Sequence, residues 1–311
     1  MTDTWEYKEV GLRLSNWGRW GNDDELGTLN FVTPEKRVQA AALVRTGRIF
    51  DLGMPFDEDG PQAGGRLKRF NPLHFMTVTP TDPGFLMPDG MQIADDVVIL
   101  GLQCATQWDA LSHIGYDGWL YNNTPARAIS ALVGATRLSF SKCVTRLISR
   151  GVLLDIARLK GVNRLEGGTV ITPGDLDAAE LRQGVRVQSG DILLIRTGVY
   201  QQFLEGDSKS YLGGEPGLGL SCAEWMHGRE VAALAMDNFS IDVLPTITPG
   251  ANIPFHCVAI RDMGLTLGEM FNLEELATDC DGDGVWEFMF CAPGLKISNS
   301  AGSPVTPMAI K

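Results

Sequence analysis

The segment "LQCATQWDALSH", from Leu102 to His113, decides how the rest of the chain is interpreted. It follows the apolar run "VVILGL" at 97–102 and combines amides, a carboxylate and an imidazole. In an extended chain these side chains share one parity and face the same side: Gln103, Gln107, Asp109 and His113. Fully extended, the first and third of them would lie about 20 Å apart, at roughly 3.3 Å per residue. The chain must therefore bend near 104–106 if they are to meet.

These side chains have the chemistry of a metal site. One carboxylate, two neutral amide oxygens and an imidazole can hold a divalent ion if further donors come from elsewhere. The alternative is a buried polar strand end whose amides bond to the backbone. The spacing alone leaves both interpretations open.

Composition limits the class of protein. A chain of 311 residues with 44% hydrophobic residues can bury a large core, and no linker interrupts it, so we expect one domain over 1–311. The formal charge of −12 argues against nucleic-acid binding, which requires a basic face. No window resembles a membrane span or a signal peptide. Six scattered cysteines without a CxxC pair indicate reduced thiols in the cytoplasm.

Helix and strand signals alternate along the chain. Thr33 with Pro34, and Thr172 with Pro173, predict helices that end at Gly47 and Gly184. Ser221 and Glu224 have the spacing of a capping box. Short apolar runs predict buried strands at 97–102, 151–156, 190–198, 231–238 and 288–293. The class is therefore mixed α/β (α+β).

Other motifs carry less weight. "DCDGDGVWEF" begins like a calcium loop, but Phe290 stands where the bidentate glutamate is required. "GLSCA" around Ser221 lacks the last glycine of a nucleophile elbow. No glycine-rich phosphate loop of the common types is present.

The segment "QCATQWDALSH" resembles the signature His-X-Gly-Thr-His-X-Asp-X-Pro-X-His of the Putative cyclase family, which includes bacterial kynurenine formamidase, isatin hydrolase and trans-dienelactone hydrolase. Three signature residues are retained: Thr106, Asp109 and His113. Four are replaced, by Gln103, Ala105, Gln107 and Leu111. The resemblance extends over nearly the whole chain, from "SNWGRWGNDDELGTLNFVTPE" to "GSPVTPMAIK", and is strongest to the longer branch of the family.

This resemblance implies a swivelling β/β/α cyclase-like fold and a homo-oligomer, either a dimer or a tetramer. It implies a metal site formed by Gln103, Gln107 and Asp109, with His113 as a further ligand or as the catalytic base. His256 and Glu269 match the family's later histidine and glutamate. Glu269 would belong to the metal site, or would hold the attacking water or share the role of the base, and His256 would stabilise the oxyanion or orient the substrate.

Two glutamines in place of histidines bear on the ion. An amide oxygen is a harder and weaker donor than imidazole, so the substitutions favour Mn²⁺, with Zn²⁺ and a metal-free site also open. Such an ion would activate water and polarise a carbonyl, with His113 moving the proton.

The resemblance predicts a hydrolase acting on a small-molecule substrate, opening a small cyclic ester or amide in the catabolism of aromatic or heterocyclic compounds. The alternatives are an arylformamidase, and a cyclase, dehydratase or metal-free binding protein on the same fold. A set of mostly aromatic residues in or beside the matched segments would bind a flat substrate, unless they belong to the core. They are Trp17, Trp20, Phe70, His74, Trp108 and Tyr116.

Overall fold

The computed structural model describes residues 6–65, 67–85 and 89–311. Within these ranges the strands are β1 Ile49–Asp51, β2 Leu73–Val78, β3 Asp95–Ile99, β4 Gln107–Asp109, β5 Trp119–Leu120, β6 Thr124–Pro125, β7 Ile129–Ser130, β8 Gly134–Ala135, β9 Ile148–Asp155, β10 Val170–Ile171, β11 Ile192–Arg196, β12 Gly217–Leu218, β13 Ala233–Met236, β14 Thr266–Glu269, β15 Glu287–Cys291, β16 Gly302–Pro304 and β17 Met308–Ile310. The α-helices there are α1 Glu6–Leu14, α2 Pro34–Ala41, α3 Ile156–Leu159, α4 Pro173–Gln183, α5 Tyr200–Leu204, α6 Ser208–Tyr211, α7 Cys222–Gly228, α8 Pro254–His256 and α9 Glu274–Asp283. A π-helix, Cys257–Met263, directly follows α8.

Nine strands form one sheet in the order β1-β17-β15-β9-β11-β13-β14-β4-β16. The centre of the sheet is parallel, from β9 through β11 and β13 to β14. On the far side of β14, β4 and then β16 add in antiparallel register. The mixed α/β class is confirmed, and the short sequence segment 107–109 lies near one edge of the main sheet.

Alternating residues of the parallel strands face two different cores. Leu193 and Ile195 of β11 belong to one apolar cluster, which includes residues of α4 and the π-helix. Ile192 and Leu194 belong to the other, which includes residues of α9 and β15. Both sides of the central strands are covered, which explains why their sequences are continuous apolar runs.

Helices begin at all three predicted starts, after Thr33, Thr172 and Ser221, but the capping box predicted for the third is missing. Thr172 caps α4 in a full capping box with Asp175, and Gly184 ends that helix in the left-handed conformation. The helix after Thr33 stops at Ala41, before Gly47, and the next N–H groups bond only three residues back, Leu43 to Ala40 and Val44 to Ala41. The N–H groups of Thr46 and Gly47 donate to the Lys311 carbonyl instead. The capping box predicted at Ser221 is absent, since this residue is itself helical and its side chain makes no capping bond.

The buried strand predicted at 97–102 was also wrong. Its strand, β3, ends at Ile99 and pairs with β2 in a separate antiparallel hairpin, and every residue of β3 is exposed. The chain then turns through 100–106 and enters the main sheet as β4. The predicted bend at 104–106 is therefore present. The apolar run at 97–102 did not reveal whether the rest of the protein would bury its strand.

None of the helices in the described ranges is long and apolar enough to cross a membrane. All six cysteines are free thiols, four of them buried and two partly exposed.

Candidate metal centre

The site begins with the register of two short strands. In the antiparallel pair β4–β14, Gln107 lies opposite Glu269, and Trp108 lies opposite Gly268. Because side chains alternate along a strand, Gln107 and Asp109 point to one face of the sheet and Trp108 to the other. Glu269 is the last residue of β14, so the pair lies at the carboxyl end of a parallel strand, where open α/β sheets commonly bind ligands.

Asp109, His256 and Glu269 converge at this point. One ligand atom from each lies within 4.8 Å of the other two, and all three residues are buried. Nε2 of His256 lies 3.1 Å from Oε1 of Glu269 and 3.8 Å from Oδ2 of Asp109. Two acidic oxygens and one imidazole nitrogen at such distances are suited to holding a divalent cation.

The orientation of His256 is fixed from behind. Nδ1 of its ring lies 2.6 Å from Oδ2 of Asp242, whose carboxylate also accepts the backbone N–H groups of Phe255 and His256. With Nδ1–H donating to Asp242, the lone pair of Nε2 is directed towards Asp109 and Glu269. A carboxylate behind the ring is the usual partner of a histidine that binds metal. The π-helix begins directly after His256, a type of helix that is frequent at functional sites.

Three oxygen atoms at this centre lack partners. Within the described part of the chain, Oδ1 and Oδ2 of Asp109 and Oε1 of Gln107 are buried without any hydrogen bond. Nε2 of Gln107 donates to Oε2 of Glu269 at 2.5 Å, which leaves its oxygen free. Because an unsatisfied buried polar atom is costly, the three oxygens fit an ion that would bind them. Counted as one atom per residue, Asp109, Gln107 and Glu269 offer three oxygen donors and His256 one nitrogen donor, a set that suits a divalent metal.

The electrostatics agree with an acidic site that requires a cation. Burial raises the pKa of Asp109, and the charge of Glu269 raises it further. Burial lowers the pKa of His256, but the hydrogen bonds to Asp242 and Glu269 outweigh burial and raise it to about 10. Without an ion, a protonated His256 thus partly compensates the carboxylates around it, and a bound cation would take the place of the proton on Nε2.

Two further signature positions support the centre. The hydroxyl of Thr106 donates to the carbonyl of Met270 at 2.6 Å and accepts the backbone N–H of Met54 at 2.7 Å, which joins the start of β4 to the end of β14. Gln103 lies over Gly302, the register partner of Asp109. A Cβ on Gly302 would lie only 2.4 Å from Nε2 of Gln103, so glycine makes room for that amide beside the site.

His113 lies at the rim of the centre. Its Nε2 is 3.7 Å from Oδ1 of Asp109, beyond hydrogen-bonding distance, and its side chain is 22% exposed. A turn from Ala110 places it there, since the backbone N–H of His113 donates to the Ala110 carbonyl. It is therefore the histidine of this site with access to solvent, whereas His256 is enclosed.

The predicted substrate-binding residues do not gather around Asp109. Trp108 is fully buried on the opposite face of β4, where it packs against Phe271 and Phe290 and donates to the Ala292 carbonyl. This ring belongs to the core and cannot line a pocket at the acidic centre. The period-2 alternation of a strand accounts for its position.

The remaining residues of that set lie in three places. Trp17 and Tyr116 pack on Arg261, with the Tyr116 hydroxyl donating to Asp262. Trp20 packs edge-on against Phe31. Phe70 is exposed, and His74 pairs with Asp96 on the hairpin, beside a groove of about 590 Å³.

Sequence reasoning missed two residues that support the site. Asp242 orients His256, and the buried carboxylate of Glu215 accepts the backbone N–H groups of Phe239 and Ser240 just before it. Both act on the loop that follows β13. An acidic residue shortly after a predicted buried strand, as in "VAALAMDNFSID", was the available signal.

Comparisons with known proteins agree with this arrangement. The family model described as Putative cyclase matches residues 50–243. A solved structure described as a novel cyclase is 39% identical, with a TM-score of 0.89, and the match covers 97% of this chain and 99% of that one. No significant match was found among curated proteins.

Two more distant structures share the fold. An isatin hydrolase bound to the product analogue thioisatinate is 17% identical, with a TM-score of 0.62 and coverage of 89% of this chain and 98% of that one. A predicted metal-dependent hydrolase from Bacillus stearothermophilus is 12% identical, with a TM-score of 0.53 and coverage of 85% and 98%. At these identities the likeness concerns the fold, and the predicted cyclase-like fold is confirmed.

Proposed function

The chain belongs to the Putative cyclase family, and we propose that it is a metal-dependent hydrolase that opens a small cyclic ester or amide. The observation that carries this proposal is the set of partnerless oxygens of Asp109 and Gln107, buried beside His256 and Glu269. The isatin hydrolase among the structural neighbours supports a lactam or lactone as the bond that is opened.

We propose Asp109, Gln107, His256 and Glu269 as the metal-binding residues, with Gln103 beside them. This assigns His256 to the ion, whereas the family resemblance implied a catalytic role for it, and it adopts the metal-site role that the resemblance left open for Glu269. Three oxygen donors against one nitrogen favour Mn²⁺ over Zn²⁺. When bound, such an ion would supply a Lewis acid that polarises the substrate carbonyl and acidifies water.

His113 is the proposed general base. It is partly exposed, it lies 3.7 Å from Asp109 without bonding to it, and histidine is the side chain that most often serves as a general base. It would take the proton of the attacking water and return it to the leaving oxygen or nitrogen. Asp242 would hold the His256 ring in place throughout. Because water is the attacking group, no group of the chain needs to form a covalent bond to the substrate.

We also propose that residues 1–311 form one hydrolase domain, since the main sheet takes strands from β1 near residue 49 to β17 near residue 310. A homo-oligomer, a dimer or tetramer, is supported by the hairpin β2–β3. A two-stranded hairpin is marginally stable alone, and the face turned away from the groove carries four half-exposed apolar side chains: Leu73, Phe75, Val97 and Ile99. Six free thiols are consistent with the cytoplasm.

The experiment is a panel of neutral and charged lactones and cyclic amides, isatin among them. Each is incubated with protein reconstituted with Mn²⁺ or Zn²⁺, and ring opening is followed by liquid chromatography of substrate and product. The proposal predicts ring opening that requires the ion and is greater with Mn²⁺. Turnover of N-formyl arylamines with no turnover of any cyclic substrate would favour the arylformamidase instead.

A further inference from the structure

A cavity opens at the amino ends of the parallel strands, at the edge of the main sheet opposite the metal centre. Its volume is about 660 Å³, and its lining includes residues 186–189, before β11, and 227–230, before β13. β11 spans about 15 Å from this edge towards the edge where Asp109 and Glu269 lie. The cavity is therefore separate from the proposed metal site.

Three arginines from different parts of the chain line this cavity, which we name the arginine cavity. They are Arg19, which follows α1, Arg186, which follows α4, and Arg229, which follows α7. Glu230 is the one carboxylate among the described lining residues. Positive side chains thus outnumber negative ones here, in a chain whose formal charge is −12. A local excess of cations in an acidic protein indicates attraction for an anion.

Arg229 is held in one orientation by its neighbours. Its guanidinium carbon lies 3.9 Å from the centre of the Trp225 ring. Its Nη2 donates to Oδ1 of Asp177 and to Oε2 of Glu180, at 2.8 Å in each case. Trp225 donates to the same oxygen of Asp177, so the ring under the guanidinium is also fixed. A guanidinium that is already oriented loses less conformational entropy when it binds a ligand.

The carboxylate of Glu180 holds two of the arginines together. This residue lies in α4 and is only 4% exposed. Its Oε2 accepts Nη1 of Arg186 at 3.2 Å and Nη2 of Arg229 at 2.8 Å. Its Oε1 accepts the backbone N–H of Val187 at 2.8 Å. Because a buried carboxylate requires such partners, Glu180 and the two arginines form one structural unit.

Arg19 is oriented by a different set of contacts. Its guanidinium carbon lies 4.8 Å from the centre of the Phe31 ring and 5.2 Å from that of the Trp20 ring. Its Nη1 donates to Oδ1 of Asn16, and its Nη2 donates to Oε1 of Glu230. Two separate parts of the chain therefore bring oriented guanidinium groups to the same cavity.

The three arginines keep unused donors. A guanidinium carries five N–H groups. Among the residues that the structure describes, Arg186 bonds only through Nη1, and Arg229 bonds through Nε and Nη2 but not through Nη1. The Nε of Arg19 likewise makes no hydrogen bond within 6–65, 67–85 and 89–311. The neighbouring carboxylates orient these groups and leave donors for a ligand.

A second, smaller groove extends the positive lining. Its volume is about 320 Å³, and it shares Arg186 and Gln188 with the arginine cavity. It also contains Arg150, which is 7% exposed and pairs with Asp191 and Glu287. Nε of Arg150 has no hydrogen-bond partner in the described part of the chain. An unpaired buried donor is costly, as expected of a surface that a ligand completes.

We propose that the arginine cavity binds a small organic polyanion, a molecule with at least two carboxylate or phosphate groups, through Arg19, Arg186 and Arg229. An arginine fork matches either group through two parallel hydrogen bonds. A volume of about 660 Å³ is in the range of small-molecule sites and exceeds what a single inorganic ion requires. The site is independent of the proposed function, because the metal centre lies at the other edge of the sheet.

Titration calorimetry with tricarballylate and with pyrophosphate tests the proposal, with acetate at equal ionic strength as the comparison of single charge. The unaltered protein is compared with Arg186→Gln, with Arg19→Gln and with the control Arg182→Gln, which removes the same charge from an exposed residue of α4. Each protein is titrated as purified and again after metal removal on a chelating resin. Thermal unfolding shows whether the variants are folded. Arg186 is 70% exposed and makes one hydrogen bond, so its variant should fold even if Arg19→Gln does not.

We expect Arg186→Gln and Arg19→Gln each to weaken the binding of at least one polyanion by about tenfold or more, with or without metal. Arg182→Gln should bind like the unaltered protein, and acetate should bind about tenfold more weakly or less than that. Binding of tricarballylate alone would identify carboxylates as the ligand groups, and binding of pyrophosphate alone would identify phosphates.

Three results would overturn the proposal. The first is no binding of either polyanion by the unaltered protein at millimolar concentration. The second is equal weakening by Arg186→Gln and Arg182→Gln, which would show a general effect of charge. The third is binding that disappears with the metal and ignores Arg186, because the ion would then hold the anion.

Discussion

Gln107 and Glu269 face each other across the antiparallel pair β4–β14, and the amide of Gln107 donates to the carboxylate of Glu269 at 2.5 Å. This one bond uses the nitrogen of the amide and leaves its oxygen free and buried. A glutamine at this position therefore does two things that a histidine would do differently: it fixes Glu269, and it presents a hard oxygen donor.

Asp109→Asn should stabilise the metal-free protein. Both oxygens of this buried carboxylate lack hydrogen-bond partners, so removing its charge removes a cost of about 1–3 kcal/mol that His256 compensates only in part. Urea unfolding in the presence of a chelator measures the free energy of unfolding of both proteins. A variant that is less stable than the unaltered protein would mean that Asp109 has a stabilising partner.

Asp242→Asn should weaken Mn²⁺ binding by about ten- to a hundredfold, because His256 loses the charged acceptor that orients its ring. The matched control is Asp262→Asn, a buried carboxylate that bonds to Tyr116 and makes no hydrogen bond to His256. Both variants should lose stability, but only the first should lose metal affinity in a competition titration. Equal losses of affinity would contradict the orienting role of Asp242.

His113→Gln should retain the ion and lose turnover by about 10²–10⁴-fold, the usual contribution of a general base. Its side chain lies at the rim, 3.7 Å from Asp109, so removing the imidazole leaves the buried ligands in place. Steady-state rates and metal content are measured together, with His227→Gln in α7 as the control. Loss of metal from His113→Gln would make His113 a ligand instead.

Phe75→Asp should dissociate the proposed homo-oligomer, because it places a charge in the apolar outer face of the hairpin. Light scattering coupled to gel filtration gives the mass of each species. Leu132→Asp is the control, since Leu132 is 93% exposed and lies outside the hairpin. A Phe75→Asp protein of unchanged mass would place the contact on another surface.

Local rules predicted the parts of this molecule that depend on short stretches of chain. The bend before Gln107, the shared face of Gln107 and Asp109, and the caps at Thr33 and Thr172 all follow from neighbouring residues. The same period-2 rule would also have excluded Trp108, which lies between two residues of the opposite face. An aromatic side chain beside a motif is not evidence that it faces the site.

Long-range contacts were out of reach of such rules. Asp242 meets His256 because a loop folds back over fourteen residues. Arg69 contacts Phe239 although the two are 170 residues apart in the sequence. No pattern of spacing encodes these contacts. The hairpin β2–β3 is a related case, since a short apolar run indicates a strand but not whether the protein's own core covers it.

Metal content measured by plasma mass spectrometry on protein purified without added metal, beside Asp109→Asn prepared identically, tests the central claim most directly. We predict close to one Mn²⁺ per chain in the unaltered protein, and about a tenfold lower content or less in the variant. Absence of bound metal from both proteins, with none taken up from millimolar Mn²⁺ or Zn²⁺, would contradict the metal centre and with it the proposed hydrolase.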